Sequence, residues 1–347
     1  MTARRHVIRA GSSVGSYKIV KQIGSGGMGK VFEGVHTMLS RHVAIKVLLP
    51  ELLAAPAMSS RMAQEASILD DLRHPGIVPI FDCGLLDDGR PWIAMELVTG
   101  DSLATKMDAQ PRLASGEVIA LLTHLADVLT TVHARGIIHR DLKPDNILFA
   151  DPGSAYPLRV IDWGVARQGA AGRFTLEGMT FGTPSYMSPE QILGRDIAPP
   201  CDLYSLGVIA YEALAGHLPF EGASLAEMVA LHLHATEAPL APQCPAAPRA
   251  LCELIHRMLL KVPGQRPTAS ELRDALRALA IETADPELEF ESYVVTVSEV
   301  PTPMLPRRAV PHEPPARQAA FPGALVTVRL QPSAAAWAVR EEILAAS

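Results

Sequence analysis

Residues His139 to Asn146 read HRDLKPDN, which sets a carboxylate (Asp141), an ammonium (Lys143) and an amide (Asn146) on one short segment. The carboxylate can accept or orient the proton of an attacking hydroxyl, and the ammonium can neutralise charge on a transferred phosphoryl. The amide oxygen suits a hard divalent cation such as Mg²⁺. These are the groups needed to move a phosphoryl from a metal-bound nucleotide to a hydroxyl.

A second candidate lies upstream. Ile23 to Val31 read IGSGGMGKV, with Gly24, Gly26 and Gly29 between two runs of β character. Without side chains, such a turn lets backbone N–H groups come close to phosphate oxygens. Taken alone it is equally a hairpin turn. What gives it weight is Val43-Ala44-Ile45-Lys46 in the following β run. A Walker loop would carry its lysine inside the glycine turn, and a dinucleotide fold would open a helix at its glycines, so neither fits.

Taken in order, these motifs resemble the eukaryotic-type protein kinases, and the strings GGMG, SPEQ and GQRP are most similar to bacterial serine/threonine members. The resemblance runs from about residue 17 to about residue 277. It implies an α+β, two-lobed protein kinase fold, with a small mainly β lobe carrying one regulatory helix and a larger mainly helical lobe. It further implies that ATP with Mg²⁺, or Mn²⁺ in its place, phosphorylates Ser or Thr of protein substrates in signal transduction.

On that resemblance the catalytic residues are Asp141, Lys143, Lys46 and Glu65, the last being the glutamate of the regulatory helix that pairs with the lysine. ATP would meet Ile23, Gly24, Ser25, Gly26, Gly27, Met28, Gly29, Lys30, Val31, Ala44 and Lys46. Met95 would be the gatekeeper, and Glu96 to Val98 would offer hinge backbone to adenine. Asn146 and Asp162 would hold the metal; Asp162 opens a DWG triplet where the family usually has DFG, a change that concerns packing. Trp163 would stack with Leu69, Ile80 and His139. Glu190 would pair with Arg266, Asp202 would hold the catalytic-loop backbone, and Thr183 would support Asp141 and Lys143. Arg140 would meet a phosphate on Thr175 or Thr180, the candidate sites of autophosphorylation.

Two other readings share this fold. A nucleotide-binding scaffold without transfer activity would lack one of Lys46, Glu65, Asp141, Asn146 or Asp162, and all are present. A small-molecule phosphotransferase would lack the GTPSYMSPE segment at 182–190, which is also present.

The elements that must position these residues fall into two groups. Short β runs dominate from Tyr17 to about Met95, with one helical stretch from about Ser60 to Leu72, and longer helix-period segments follow. The resulting division is an N-terminal extension 1–16 and a kinase domain 17–280, made of a small lobe (about 17–95), a hinge (about 96–100) and a large lobe (about 101–280). Eight prolines between Pro286 and Pro322 mark 281–323 as a linker. The segment 324–347, of unknown role, has a candidate strand at Ala324 to Leu330 and a candidate helix at Ser333 to Ala346. The tail is either a passive linker or a docking segment for a partner.

The chain has 347 residues, 48% of them hydrophobic, enough for sizeable cores. A net charge of −6 without a dense Lys/Arg run gives no reason to expect nucleic acid as partner. Four cysteines without a CxxC pair suit a reducing compartment. The apolar stretch Val118 to Val132 contains His124 and Asp127 and reads as a buried helix, not a membrane span, and a cytoplasmic location is the expectation. His232 and His234 form an HxH pair without further ligands, so packing or surface roles are expected.

Overall fold

In the computed structural model of the chain, the described residues are 7–26, 29–50, 72–151, 154, 156–163 and 184–283. The chain divides into two units, Met1–Leu288 and Glu289–Ser347, and the second lies outside the described residues, as do the candidate strand and helix of the tail. The helical stretch expected after Ser60 also falls outside them.

The small lobe is a six-stranded antiparallel sheet built from β1 (Ser13–Val14), β2 (Tyr17–Ser25), β3 (Gly29–His36), β4 (His42–Leu48), β5 (Ile80–Leu85) and β6 (Pro91–Glu96). Its spatial order is β1-β2-β3-β4-β6-β5, which puts β4, bearing Lys46, in the interior of the sheet. Side chains of a strand alternate between its two faces. Tyr17 and Ile19 of β2 and Val43, Ile45 and Val47 of β4 point into one core with Phe32, Trp92 and Ala94. The sheet begins before Tyr17: Val14 is 1% exposed and belongs to the same core.

The large lobe is built around two long helices. The helices and strands are α1 (Leu103–Ala109), α2 (Ser115–His133), β7 (Ile147–Phe149), β8 (Leu158–Val160), α3 (Pro189–Ile192), α4 (Pro200–Ala215), α5 (Leu225–His234), α6 (Leu240–Gln243), α7 (Arg249–Met258) and α8 (Ala269–Thr283). Fourteen of the sixteen residues of α4 that matter for packing, Cys201 to Tyr211 and Ala213 to Ala215, are buried, so it is a central core helix. It ends at Gly216 in the left-handed region (φ 78°), the usual stop for a helix. Helix α2 packs against α4 and α8. Among the described helices, α2 alone is long and apolar enough to cross a membrane, but Val118, Leu122, Leu125 and Leu129 lie in the large-lobe core.

One segment that precedes β5 in sequence sits with the large lobe. Leu72 and Ile77 join the large-lobe core, Ile77 bridges Val160 of β8, and the Tyr156 hydroxyl donates to the His124 carbonyl at 2.7 Å. Gly76 is required there, since a Cβ would lie 2.5 Å from Val128 Cγ2. Residues 72–78 therefore anchor the small lobe's fifth strand to the lobe below it.

Candidate active site

Lys46 comes from the middle of β4, where its neighbours Ile45 and Val47 turn into the core and leave its side chain on the opposite face. Its Nζ donates to Asp162 Oδ1 at 2.8 Å. Asp162 follows β8 with φ 57°, a left-handed conformation that is uncommon for a non-glycine residue and that marks a built feature of the loop. Burial pushes the Asp162 carboxyl up, but the Lys46 ammonium outweighs this and holds it below the usual carboxylate range. The first metal candidate is thus an anion paired with the strand lysine.

Asn146 is buried, and its Nδ2 donates to the Asp141 carbonyl at 2.8 Å and lies 3.5 Å from Asp141 Oδ2. With the amide nitrogen held in this way, the amide oxygen is the group left for a cation. Lys143 Nζ lies 3.8 Å from Asp141 Oδ2. An aspartate and an amide oxygen form the hard donor set that Mg²⁺ prefers, so the residues present fit such an ion and would hold it if it were bound.

The loop carrying Asp141 is fixed from below by Asp202, at the start of α4. Its carboxylate is 1% exposed and accepts from the backbone N–H of His139 (2.8 Å) and of Arg140 (2.9 Å), while His133 Nε2 bonds Oδ2 at 2.9 Å. Burial raises the Asp202 carboxyl, yet the His133 bond and charge bring it below its ordinary value. Arg140 takes φ 65°, and Asp202 holds the amide of that strained residue. His139 is fully buried and kept neutral by burial; its Nε2–H donates to the Ile161 carbonyl (3.0 Å) and its Nδ1 accepts from the Asp141 N–H (3.3 Å). One imidazole therefore joins the backbone of Asp141 to the residue before Asp162.

Trp163 is 2% exposed and stacks tilted on His139, with ring centroids 4.7 Å apart. Its indole N–H donates to the Val160 carbonyl at 3.2 Å, a bond phenylalanine could not make. Ile80 packs against the same core. Glu190 and Arg266 form a bidentate pair at 2.7 and 2.9 Å, and Arg266 also donates to the carbonyls of Leu260, Pro200 and Lys261. The 3₁₀ turn Pro184–Tyr186, within the GTPSYMSPE segment expected to face substrate, is held by Ser205 Oγ, which donates to the Tyr186 carbonyl at 2.7 Å.

In the glycine turn, Gly24 pairs with Val31 and Ser25 with Lys30 across β2 and β3, and the Gly26 N–H donates to the Gly29 carbonyl at 2.9 Å. Gly29 has a second reason to be glycine: a Cβ there would lie 2.5 Å from the Val47 carbonyl oxygen of β4. Ile23 is exposed, and Ala44 and Met95 pair with one another across β4 and β6. The Glu96 N–H is committed to the Pro79 carbonyl at 3.1 Å, so any adenine contact at Glu96 would run through its carbonyl; Val98 follows in the connection to α1. Gly27, Met28, Glu65, Leu69, Thr175, Thr180 and Thr183 lie outside the described residues.

Three further residues enter through the fold. His133 partners Asp202, Arg159 partners Glu96, and Gln191 Nε2 donates to the Arg140 carbonyl at 2.8 Å while its Oε1 accepts from the Ser188 N–H. For Gln191 the sequence does carry a partial signal, since Ser188 to Gln191 has the S-x-x-Q form of a capping box. Its reach to the catalytic loop has none.

Comparison with known proteins agrees with this geometry. The family model described as protein kinase domain matches residues 17–275. The serine/threonine-protein kinase pkn2 of Myxococcus xanthus is 38% identical over 297 residues, covering 83% of this chain and 36% of that protein. The serine/threonine-protein kinase PknA of Mycobacterium tuberculosis is 38% identical over 256 residues, covering 73% of this chain and 58% of that protein. The chain thus spans between about a third and three fifths of these relatives' lengths. The crystal structure of the Mycobacterium tuberculosis PknI kinase domain superposes with a TM-score of 0.61 at 28% identity, covering 79% of this chain and 100% of that one. With the motifs in order and the family match extending over most of its length, the chain belongs to the protein kinase domain family.

Proposed function

We propose that the chain is a serine/threonine protein kinase that transfers the γ-phosphoryl of MgATP to Ser or Thr hydroxyls of protein substrates. The observation that carries this reading is the convergence of Lys46 on Asp162 at 2.8 Å with Asn146 on Asp141 at 2.8 Å, Lys143 standing 3.8 Å from the same Asp141. A cation held by Asp162 and Asn146 supplies charge neutralisation for the nucleotide phosphates. The chain's own groups do the rest. Asp141 orients the attacking hydroxyl and takes its proton, Lys143 balances charge on the group in transit, and Lys46 holds the phosphates. The neutral His139, bonded at both ring nitrogens, keeps Asp141 in register with the turn that carries Asp162.

Activation by phosphate on Thr175 or Thr180, received by Arg140, and a cytoplasmic setting in signal transduction belong to the same proposal. Lys143, two residues after Asp141, suits a short Ser or Thr side chain, because a phenolic oxygen stands farther from its backbone. Labelled ATP, Mg²⁺ and a mixed peptide library should give phosphoserine and phosphothreonine in excess over phosphotyrosine by at least about tenfold, roughly 1.4 kcal/mol of discrimination. Mainly phosphotyrosine, or no transfer at all, would defeat the proposal.

A further inference from the structure

We propose that Arg159 is a positioning residue for the nucleotide: through Glu96 it fixes the hinge segment expected to meet adenine against the strand that delivers Asp162. This rests on the kinase reading above. Arg159 is the middle residue of β8, three before Asp162, and Glu96 is the last residue of β6, at the entry to the hinge. Arg159 Nε donates to Glu96 Oε2 at 2.8 Å, and Nη2 lies 3.5 Å from Oε1. The rest of the guanidinium is tied to its own hairpin, Nη2 to Ser154 Oγ (3.2 Å) and Nη1 to the carbonyls of Tyr156 and Leu158 (3.1 Å each). Every nitrogen of the fork is engaged, so the group is a fixed bracket and not a mobile surface charge. The side chains are 13% and 31% exposed, a partly shielded ion pair between segments 63 residues apart. A lysine, as a single point donor, could not make this set of contacts.

The far end of the hinge is fastened to the same hairpin. The Phe149 N–H donates to the Asp101 carbonyl at 2.9 Å, and Ser102 bridges Leu148. Gly100 passes so close that a Cβ would overlap the Phe149 carbonyl oxygen. The β7–β8 hairpin therefore grips the hinge at exit through backbone and at entry through Arg159. Since the hinge would hold the base and Asp162 the cation beside the phosphates, this grip sets the distance over which one nucleotide must fit both. If the grip loosens, one nucleotide no longer meets both ends of the site at once, and the loss is expected in ground-state binding, read as a raised Kd and KM.

The test uses the full chain, a fluorescent ATP analogue displaced by MgATP, and steady-state transfer to a peptide. Arg159→Met should raise the MgATP Kd and the KM for ATP about tenfold, with kcat and the KM for peptide changing by less than about threefold. Arg159→Lys should fall between the two proteins, and the reversed pair Glu96→Arg/Arg159→Glu should recover at least about threefold of the loss. Should Arg159→Met fail to fold, Glu96→Gln keeps the hinge side chain's shape and should still raise the Kd by about threefold or more. A lowered thermal midpoint with unchanged MgATP affinity would show a purely structural pair and overturn the proposal. So would parallel loss of kcat and peptide binding. If the unaltered protein itself fails to bind MgATP, the kinase reading falls first and this inference with it.

Discussion

Replacing Arg266 by methionine removes one end of the most thoroughly buried ion pair described in the large lobe. The Arg266 and Glu190 side chains are 0% and 7% exposed, and the two contacts between them measure 2.7 and 2.9 Å. Three carbonyls, of Leu260, Pro200 and Lys261, lose their donor at the same time, and the Tyr204 ring loses a cation 4.9 Å from its centre. Stranding one member of such a pair costs about 3–5 kcal/mol. Because several carbonyls are stranded too, the upper end of that range is expected, a third or more of the roughly 5–15 kcal/mol that holds a typical domain together. For a domain of this size the thermal midpoint should fall by roughly 6–20 °C. Urea unfolding gives the free energy directly. The variant Arg266→Met/Glu190→Leu should be at least about 1 kcal/mol more stable than the two single changes added together, since no charge is then left unpaired. A cost below about 1 kcal/mol for Arg266→Met, the size of an exposed pair, or simple additivity in the double variant, would refute this reasoning.

Acid should destabilise the large lobe through three buried groups. Burial keeps His139 neutral and, with the Lys261 charge, pushes His232 down to about 4, while the His133 bond holds Asp202 low against the upward push of burial. Each folded value lies below its unfolded one, so the unfolded chain takes up the extra protons, and stability present near neutrality is lost as pH falls from about 6.5 toward about 4 for His232 and lower for Asp202. A thermal midpoint that stays level between about pH 7 and pH 5 would count against this. Gln191→Leu removes the amide that holds the Arg140 carbonyl and should lower kcat about tenfold with the KM for ATP little changed; an unchanged kcat would show the bond to be idle. Trp163→Phe forfeits the bond to Val160 and some packing against His139, so urea unfolding should register a loss of about 1–3 kcal/mol while transfer stays within about threefold.

What could be read from the sequence was local. Asp141, Lys143 and Asn146 lie within six residues of each other, so their types and spacing already describe a loop with three chemical tasks. What could not be read were side chains whose partners arrive through topology. Asp202 meets His133 across 69 positions, Arg159 meets Glu96 across 63, and Gln191 meets Arg140 across 51. No period or motif in any one segment points to the other. The early start of the sheet at Ser13–Val14 escaped for another reason, since two residues are too few to show alternation. Gly29 illustrates a mixed case: its place in a phosphate-binding pattern was legible, but the Val47 carbonyl that excludes any side chain there was not. His232 was expected to pack or face solvent; it is buried, with Nδ1 bonded to the Tyr204 hydroxyl at 2.9 Å.

The account turns on Asp141 as the group that receives the hydroxyl proton. The direct test is single-turnover transfer from labelled MgATP to a Ser/Thr peptide by the unaltered protein and by Asp141→Asn, at saturating nucleotide. The loop geometry, held by His139, Asn146 and Asp202, should survive the substitution, leaving MgATP affinity within about threefold while the transfer rate falls about 10²–10⁴-fold. Transfer at the unaltered rate by Asp141→Asn, in material free of contaminating kinase, would contradict it.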